Sequence, residues 1–123
     1  MNIKFLIIML FLHIVDDYYL QGFLANAKHK NWWIENCPHE LYQNDYKMAL
    51  IEHAFSWTFM TMLPAMIMNG CGKVYIIMFI LNWVVHGYVD NLKANKYKIN
   101  LIQDQLIHVG QIVLTWIVMF ETH

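Results

Sequence analysis

Four long apolar segments dominate the chain, and their alternation with polar connections limits the folds that it can adopt. Each segment is close to the roughly 20 residues that a helix needs to cross a bilayer. Hydrophobic residues make up 59% of the 123-residue sequence and charged residues only 14%, whereas soluble domains usually carry about 25% charged residues. Such a chain has little polar surface with which to cover a core. The segments occupy residues 3–21, 48–68, 74–91 and 101–120.

The sequence therefore predicts a single all-α domain over residues 1–123, an integral membrane bundle of four transmembrane helices. The longest connection, residues 22–47, contains Trp32, Trp33 and Tyr42. Tryptophan and tyrosine favour the headgroup level of a bilayer. We expect this first loop to lie at the membrane interface, with the lipid bilayer as a partner of the protein.

The distribution of lysine predicts the orientation of the bundle, because cytoplasmic loops carry an excess of basic residues. The first and third connections hold most of the lysines, so both termini are expected outside the cytoplasm. The formal net charge is −1 and the sequence contains no arginine. A nucleic-acid-binding protein would carry a basic surface, so no nucleic-acid partner is expected. The lysines of the first and third connections are Lys28, Lys30, Lys47, Lys93, Lys96 and Lys98.

Ionisable residues inside the apolar segments cluster near one end of each segment. The histidine–aspartate pairs are spaced i,i+4, so both side chains of a pair share one helix face. At about 1.5 Å rise per residue, the four histidines lie at one depth in the bundle. We expect convergence in one pocket that opens toward the cytoplasm, with Asp16 facing away from it. The converging residues are His13, Asp17, His53, His86, Asp90, Asp104 and His108.

Histidine and carboxylate side chains that converge from several helices form a typical metal site. This ligand set suits a divalent metal, zinc above all, with manganese or iron as alternatives. A weak repeat relates the two halves of the chain and would allow a site with two metals. The predicted ligands are His13, Asp17, His53, His86, Asp90 and His108.

A metal in such a site lowers the pKa of a bound water and creates a nucleophile near neutral pH. Asp104 or Glu52 is predicted as the catalytic general base. Nearby lysines would attract an anionic group, and glutamines would orient it. These features indicate a metal-dependent hydrolase of a phosphorylated or lipid-linked substrate. The predicted substrate-binding residues are Gln21, Lys28, Lys93, Lys96 and Gln105.

The same residues carry a resemblance to a family of small integral membrane proteins of unknown function from bacteria and phages. The shared pattern covers most of the chain and resembles, in style, predicted membrane-bound metal-dependent hydrolases, although their fuller histidine-rich signature is not matched. The resemblance implies an all-helical membrane fold and no established activity. We expect the protein to lie in a bacterial inner membrane. The motifs are His13-x3-Asp17-x3-Gln21, Lys28, His53, His86-x3-Asp90-x2-Lys93 and Asp104-Gln105-x2-His108.

Other functions use the same residue types. The histidine–aspartate pairs would hold helices together in a non-enzymatic membrane protein. A proton- or ion-coupled transporter would use them as a relay, and facing histidines would clamp a haem. The apolar segments also allow a homo-oligomer. The deep parts of the first and fourth segments contain few polar residues, which favours a closed site over a pore.

Overall fold

The computed structural model describes residues 2–121, and within that range it is all-helical, as predicted. Four long helices are joined by short connections, and two small helices and a 3₁₀ turn at Glu40–Tyr42 lie between the first and second long helices. The helices are α1 (Ile3–Val15, continued by a π-helical turn at Asp16–Leu20), α2 (Leu24–Ala27), α3 (Lys30–Asn36), α4 (Asp45–Asn69), α5 (Lys73–Ala94) and α6 (Leu101–Trp116, continued by a π-helical turn at Ile117–Glu121).

The prediction of four transmembrane helices is wrong. Among residues 2–121, one helix, Leu101–Glu121, is long and apolar enough to cross a membrane. Charged and polar side chains distributed along α1, α4 and α5 explain the difference. For example, α1 has only 13 α-helical residues before Asp16 and Asp17, and α5 begins at Lys73 and reaches Asp90 near its end. An apolar composition alone therefore overestimates the number of spans.

The four long helices pack as a bundle in which α1 and α5 each contact both α4 and α6. The interior is layered along the bundle axis. One end is filled by an apolar cluster around Met62, Met78 and Met119. The next layer contains Met9 and Trp57 with buried residues of α6. Beyond Trp57 the interior becomes polar, and this polar layer contains the predicted site.

Helix ends and close contacts place the polar layer. Asn100 and Gln103 form a capping box at the start of α6, because each side chain bonds to the backbone N–H of the other. Helices α4 and α5 approach closely at Gly87, where an added Cβ would lie 3.4 Å from the Cβ of Ala54. This contact adjoins His53 and His86, so the small residues bring the two imidazoles together.

The close contact at Gly87 predicts different costs for two helical glycines. Gly87→Val should lower the free energy of unfolding by about 1–3 kcal/mol, because the added methyl groups push α4 and α5 apart. Gly110→Val is the matched control, since a Cβ there meets no atom within 4 Å. Chemical denaturation of both variants measures the difference. An equal effect at the two positions would contradict the proposed packing.

Candidate metal centre

The polar layer contains the seven ionisable residues singled out from the sequence, and the four helices contribute them to one buried cluster. Five of these side chains, together with one glutamine, form a closed arrangement that we call the acid–imidazole ring. Ring members come from α1, α4, α5 and α6. The ring consists of Asp17, His53, Asp90, His108, Asp104 and Gln105.

The first half of the ring centres on His53, which is 1% exposed. Its Nε2 lies 3.3 Å from Oδ1 of Asp17 and 3.2 Å from Oδ2 of Asp90. Burial alone would lower the pKa of His53, but the contacts with Asp17 and Asp90 raise it above its ordinary value. One imidazole nitrogen is therefore placed between two carboxylates from different helices.

The second half repeats this arrangement around His108. Its Nε2 lies 3.3 Å from Oδ1 of Asp90 and 3.2 Å from Oδ1 of Asp104. Burial would again lower the pKa, but Asp104 and Asp90 raise the pKa of His108 to about 9. Asp90 thus uses one oxygen for each histidine and links the two halves.

Gln105 closes the ring. Its Nε2 donates hydrogen bonds to Oδ2 of Asp17 and Oδ2 of Asp104, both at 3.1 Å. The other oxygens, Oδ1 of Asp17 and Oδ1 of Asp104, have no hydrogen-bond partner in the described part of the chain. Buried carboxylate oxygens usually have a partner. These two oxygens face histidine nitrogens instead and are available to a cation.

His86 lies against the ring and is fully buried. Its Nε2 is 3.2 Å from Nε2 of His53, and its ring stacks on Trp57 with centroids 4.1 Å apart. Burial lowers the pKa of His86 well below its ordinary value, so this imidazole is neutral and offers a lone pair.

Among residues 2–121, two groups of side chains could hold a metal ion, and both include His86. In each group the candidate ligand atoms all lie within 4.8 Å of one another. The histidines provide imidazole nitrogens and the aspartates carboxylate oxygens, which are common metal ligands. The groups are Asp17, His53 and His86, and His86, Asp90 and His108.

Hydrogen bonds fix a proton on Nδ1 of His108. The hydroxyl of Thr115 donates to the carbonyl of Gln111 and accepts from the amide of Asn82. The oxygen of Asn82 therefore accepts from Nε2 of Gln111, and Oε1 of Gln111 accepts from Nδ1 of His108. The Nε2 atom of His108 is left facing the ring carboxylates, and such outer partners commonly orient metal-binding histidines.

His13, which was predicted as a metal ligand, has a different position. Its Nδ1 accepts a hydrogen bond from the indole N–H of Trp57 at 2.7 Å, and its Nε2 lies 2.9 Å from Oε1 of Gln105. Both nitrogens are therefore engaged. Burial lowers the pKa of His13, in agreement with a neutral ring. The structure places His13 outside both candidate ligand groups.

Asp16 faces inward, although the sequence predicted the opposite. The π-helical turn begins at Asp16, and both Asp16 and Asp17 approach His53. Oδ1 of Asp16 accepts from the hydroxyl of Ser56 at 2.6 Å, and Oδ2 lies 3.9 Å from Nδ1 of His53. Neighbouring carboxylates thus reach opposite nitrogens of one imidazole. π-Helical turns occur often at functional sites.

Two lysines pair with ring carboxylates. Nζ of Lys28 lies 2.9 Å from Oδ2 of Asp90, and Nζ of Lys93 lies 3.0 Å from Oδ2 of Asp104. Lys28 is buried, and its carbonyl accepts a hydrogen bond from Asn95, which also accepts from the backbone N–H of Lys30. These contacts attach the segment before α3 to the end of α5 and hold Lys28 over the ring.

A polar cleft of about 270 Å³ leads from the surface to the ring. Asp17 and Gln105 contribute to its lining, as do Lys28 and Lys93. Gln21 also lines this cleft, and its Nε2 donates to the carbonyl of Asp17. The ring is therefore accessible from one side, at a place with two cationic side chains. A larger apolar groove between α4 and α5 contains no ring residue.

The structure does not bring Glu52 or Lys96 to the cluster. Both side chains are exposed on the outer surface of the bundle. Glu52 directly precedes His53, so the two side chains lie on different faces of the helix. Sequence reasoning also missed Trp57 and Gln111. Trp57 follows His53 at i,i+4, a spacing that indicates a shared helix face and could have identified it.

No protein-family model, curated protein or solved structure matches this chain. The resemblance to a family of small membrane proteins therefore stays a prediction.

Burial of the Lys28–Asp90 ion pair predicts a large effect on stability. Lys28→Met should lower the free energy of unfolding by about 3 kcal/mol, because it removes the lysine partner of the buried Asp90 carboxylate. Lys96→Met, at an exposed lysine, should change it by about 0.5 kcal/mol or less. Chemical denaturation measures both values. If the two variants are equally stable, the pair makes no net contribution.

Proposed function

We propose that the protein is a metal-dependent hydrolase whose divalent cation is held by His53, His86 and Asp17. The observation that carries this proposal is the approach of two imidazole nitrogens and a carboxylate oxygen inside a buried layer. Of the two candidate groups, this one includes Asp17, which lines the cleft. Three protein ligands leave a coordination position for water, as in catalytic zinc sites.

Zinc is the cation that fits these atoms best. Ligand atoms about 2.0–2.1 Å from a tetrahedral zinc ion are roughly 3.3 Å apart. Nε2 of His53 lies 3.2 Å from Nε2 of His86 and 3.3 Å from Oδ1 of Asp17. Two histidines and one carboxylate are also a known catalytic zinc set. Iron and manganese use the same ligand types and are the alternatives.

The ring supplies the groups that hydrolysis needs around that cation. A bound divalent metal lowers the pKa of a coordinated water toward neutrality. Asp90 would accept the proton of such a water, since its Oδ2 lies 3.2 Å from Nε2 of His53, one of the proposed ligand atoms. His108 connects Asp90 to Asp104, so the predicted general base Asp104 takes a more distant position in the proton path. Glu52 has no part in it.

The cleft favours an anionic substrate. Its volume of about 270 Å³ accommodates a phosphate group with a small substituent, and larger ligands usually occupy about 300–1,000 Å³. Lys93 is partly exposed there, and Lys28 adds positive potential from below. In the reaction, the water oxygen bonds to phosphorus while the bond to the leaving oxygen breaks. Asp90 would take the proton of the attacking water, and the leaving oxygen would take a proton from water in the cleft.

A metal measurement tests the site directly. The purified protein should bind about one zinc ion per chain, and His86→Ala should weaken zinc binding by more than about 100-fold, since loss of an outer partner alone costs about 10- to 100-fold. His39→Ala is the control, because His39 is exposed in the connection before α4. Elemental analysis and chelator competition provide the measurement. Equal affinity of wild type and His86→Ala would overturn the metal site.

Hydrolysis is tested with a small aryl phosphate that releases a coloured product. We expect zinc-dependent turnover that a chelator removes and added zinc restores. Lys93→Met should raise KM with a smaller effect on kcat, because Lys93 contacts the substrate anion in the cleft. Lys96→Met should change neither constant. Zinc-loaded protein that hydrolyses neither phosphate monoesters nor diesters would limit the site to metal binding.

Proton transfer is a second candidate function, favoured by the alternation of carboxylates and imidazoles around the ring. The Nε2 atom of each ring histidine contacts two carboxylates, so a proton can pass between neighbours by small movements. Zinc analysis separates the two functions. Protein that binds no divalent metal, together with a proton conductance lost in Asp90→Asn, would favour proton transfer over hydrolysis.

A further inference from the structure

Gln105 occupies a position between the two halves of the ring that a substrate-binding role does not explain. Its side chain contacts three ionisable residues: Oε1 lies 2.9 Å from His13, and Nε2 lies 3.1 Å from Asp17 and from Asp104. A primary amide has a donor end and an acceptor end, so its orientation decides which atoms it can satisfy.

A fixed donor sets that orientation. The indole N–H of Trp57 can only donate, so Nδ1 of His13 must accept it at 2.7 Å. The proton of the neutral His13 ring is then on Nε2, which donates to Oε1 of Gln105. The amide nitrogen of Gln105 is consequently turned toward Asp17 and Asp104.

The orientation of the amide decides which carboxylate oxygens remain free. Gln105 engages Oδ2 of Asp17 and Oδ2 of Asp104. The Oδ1 atoms of both residues have no hydrogen-bond partner in residues 2–121 and face Nε2 of His53 and Nε2 of His108. A reversed amide would direct its oxygen at two carboxylates, which is repulsive.

We infer that Gln105 is a positioning residue, which turns the Oδ1 atoms of Asp17 and Asp104 toward the ring histidines. Trp57, acting through His13, sets which end of the Gln105 amide faces these carboxylates. This inference rests on the metal site proposed above, since Asp17 Oδ1 is one of its ligands. In the metal-free protein, the same hydrogen bonds require one tautomer of His13, with the proton on Nε2. The tautomer and the metal can therefore be tested separately.

Nitrogen-15 NMR of the metal-free protein tests the direction of the hydrogen bonds that run from Trp57 through His13 to Gln105. His13 should show a protonated Nε2 and an unprotonated Nδ1. Trp57→Phe keeps an aromatic ring against His86 but removes the N–H donor. In that variant Nδ1 of His13 is free to take the proton and donate to Oδ2 of Asp17, which lies 3.6 Å away. The Nε2–H population should therefore fall. Trp83→Phe, whose indole bonds to the carbonyl of Ile51 outside the ring, should leave it unchanged.

Zinc affinity tests the positioning role. Gln105→Met conserves the length of the side chain but removes its hydrogen bonds, and it should weaken zinc binding by about 10- to 100-fold, the usual cost of losing an outer partner. Gln103→Met is a stringent control, because it breaks the capping box of the same helix. That variant should lose stability without losing zinc affinity.

The outcomes separate this inference from the proposed function. A protonated Nδ1 on His13 in the wild type would overturn the proposed direction of the hydrogen bonds from Trp57 to Gln105, whether or not metal binds. Zinc binding that survives Gln105→Met unchanged would overturn the positioning role and leave the metal site in place. A wild-type protein that binds no zinc would overturn the proposed function and the role of Gln105 in it. The tautomer of His13 would then still decide the direction of the hydrogen bonds from Trp57 to Gln105.

Discussion

The burial of several carboxylates in the middle of a small helical bundle is the constraint on which the rest of the structure depends. A buried charge is costly unless it is paired and hydrogen-bonded. Here each aspartate of the ring contacts an imidazole, and Lys28 and Lys93 pair with Asp90 and Asp104. The cost of the charges is therefore offset locally, by residues from four helices. Loss of any one partner affects the others, because Asp90 and Gln105 are shared between the halves.

The side chains around the ring balance its charge and also orient the lone pairs of its histidine and aspartate residues. Trp57 controls the orientation of His13 and Gln105, and Asn82 and Gln111 control that of His108. Both chains of hydrogen bonds begin at a group with a fixed polarity and end at a ring residue. The polar layer is thus surrounded by side chains whose chemistry leaves ligand atoms exposed toward its interior. Preorganisation of this kind reduces the rearrangement that binding requires.

The spacing of residues in the sequence predicts much of the site, but it did not predict the number of membrane-spanning helices correctly. The i,i+4 pairs of His86 with Asp90 and of Asp104 with His108 place both members on an inward face, as the helical period requires. The role of His13 depends on a partner 44 residues away, Trp57, and no local pattern indicates it. The inward position of Asp16 depends on a π-helical turn that residue types do not specify. Four spans were predicted because the ionisable residues inside the segments were assigned to a buried site and were not weighed against membrane insertion, whereas one helix among residues 2–121 is long and apolar enough to cross a membrane.

The ring joins residues that are distant in the chain, and this has a consequence for how the protein folds. Gln105 and Asp17 are separated by 88 positions, and Gln105 and His13 by 92. Contacts of such separation form late, because closing a long loop costs entropy before any contact repays it. The hairpin of α4 and α5 requires only a short turn around Gly70. The carboxylates and imidazoles should therefore stay hydrated through most of assembly and lose water together in the last step, when α1 and α6 meet.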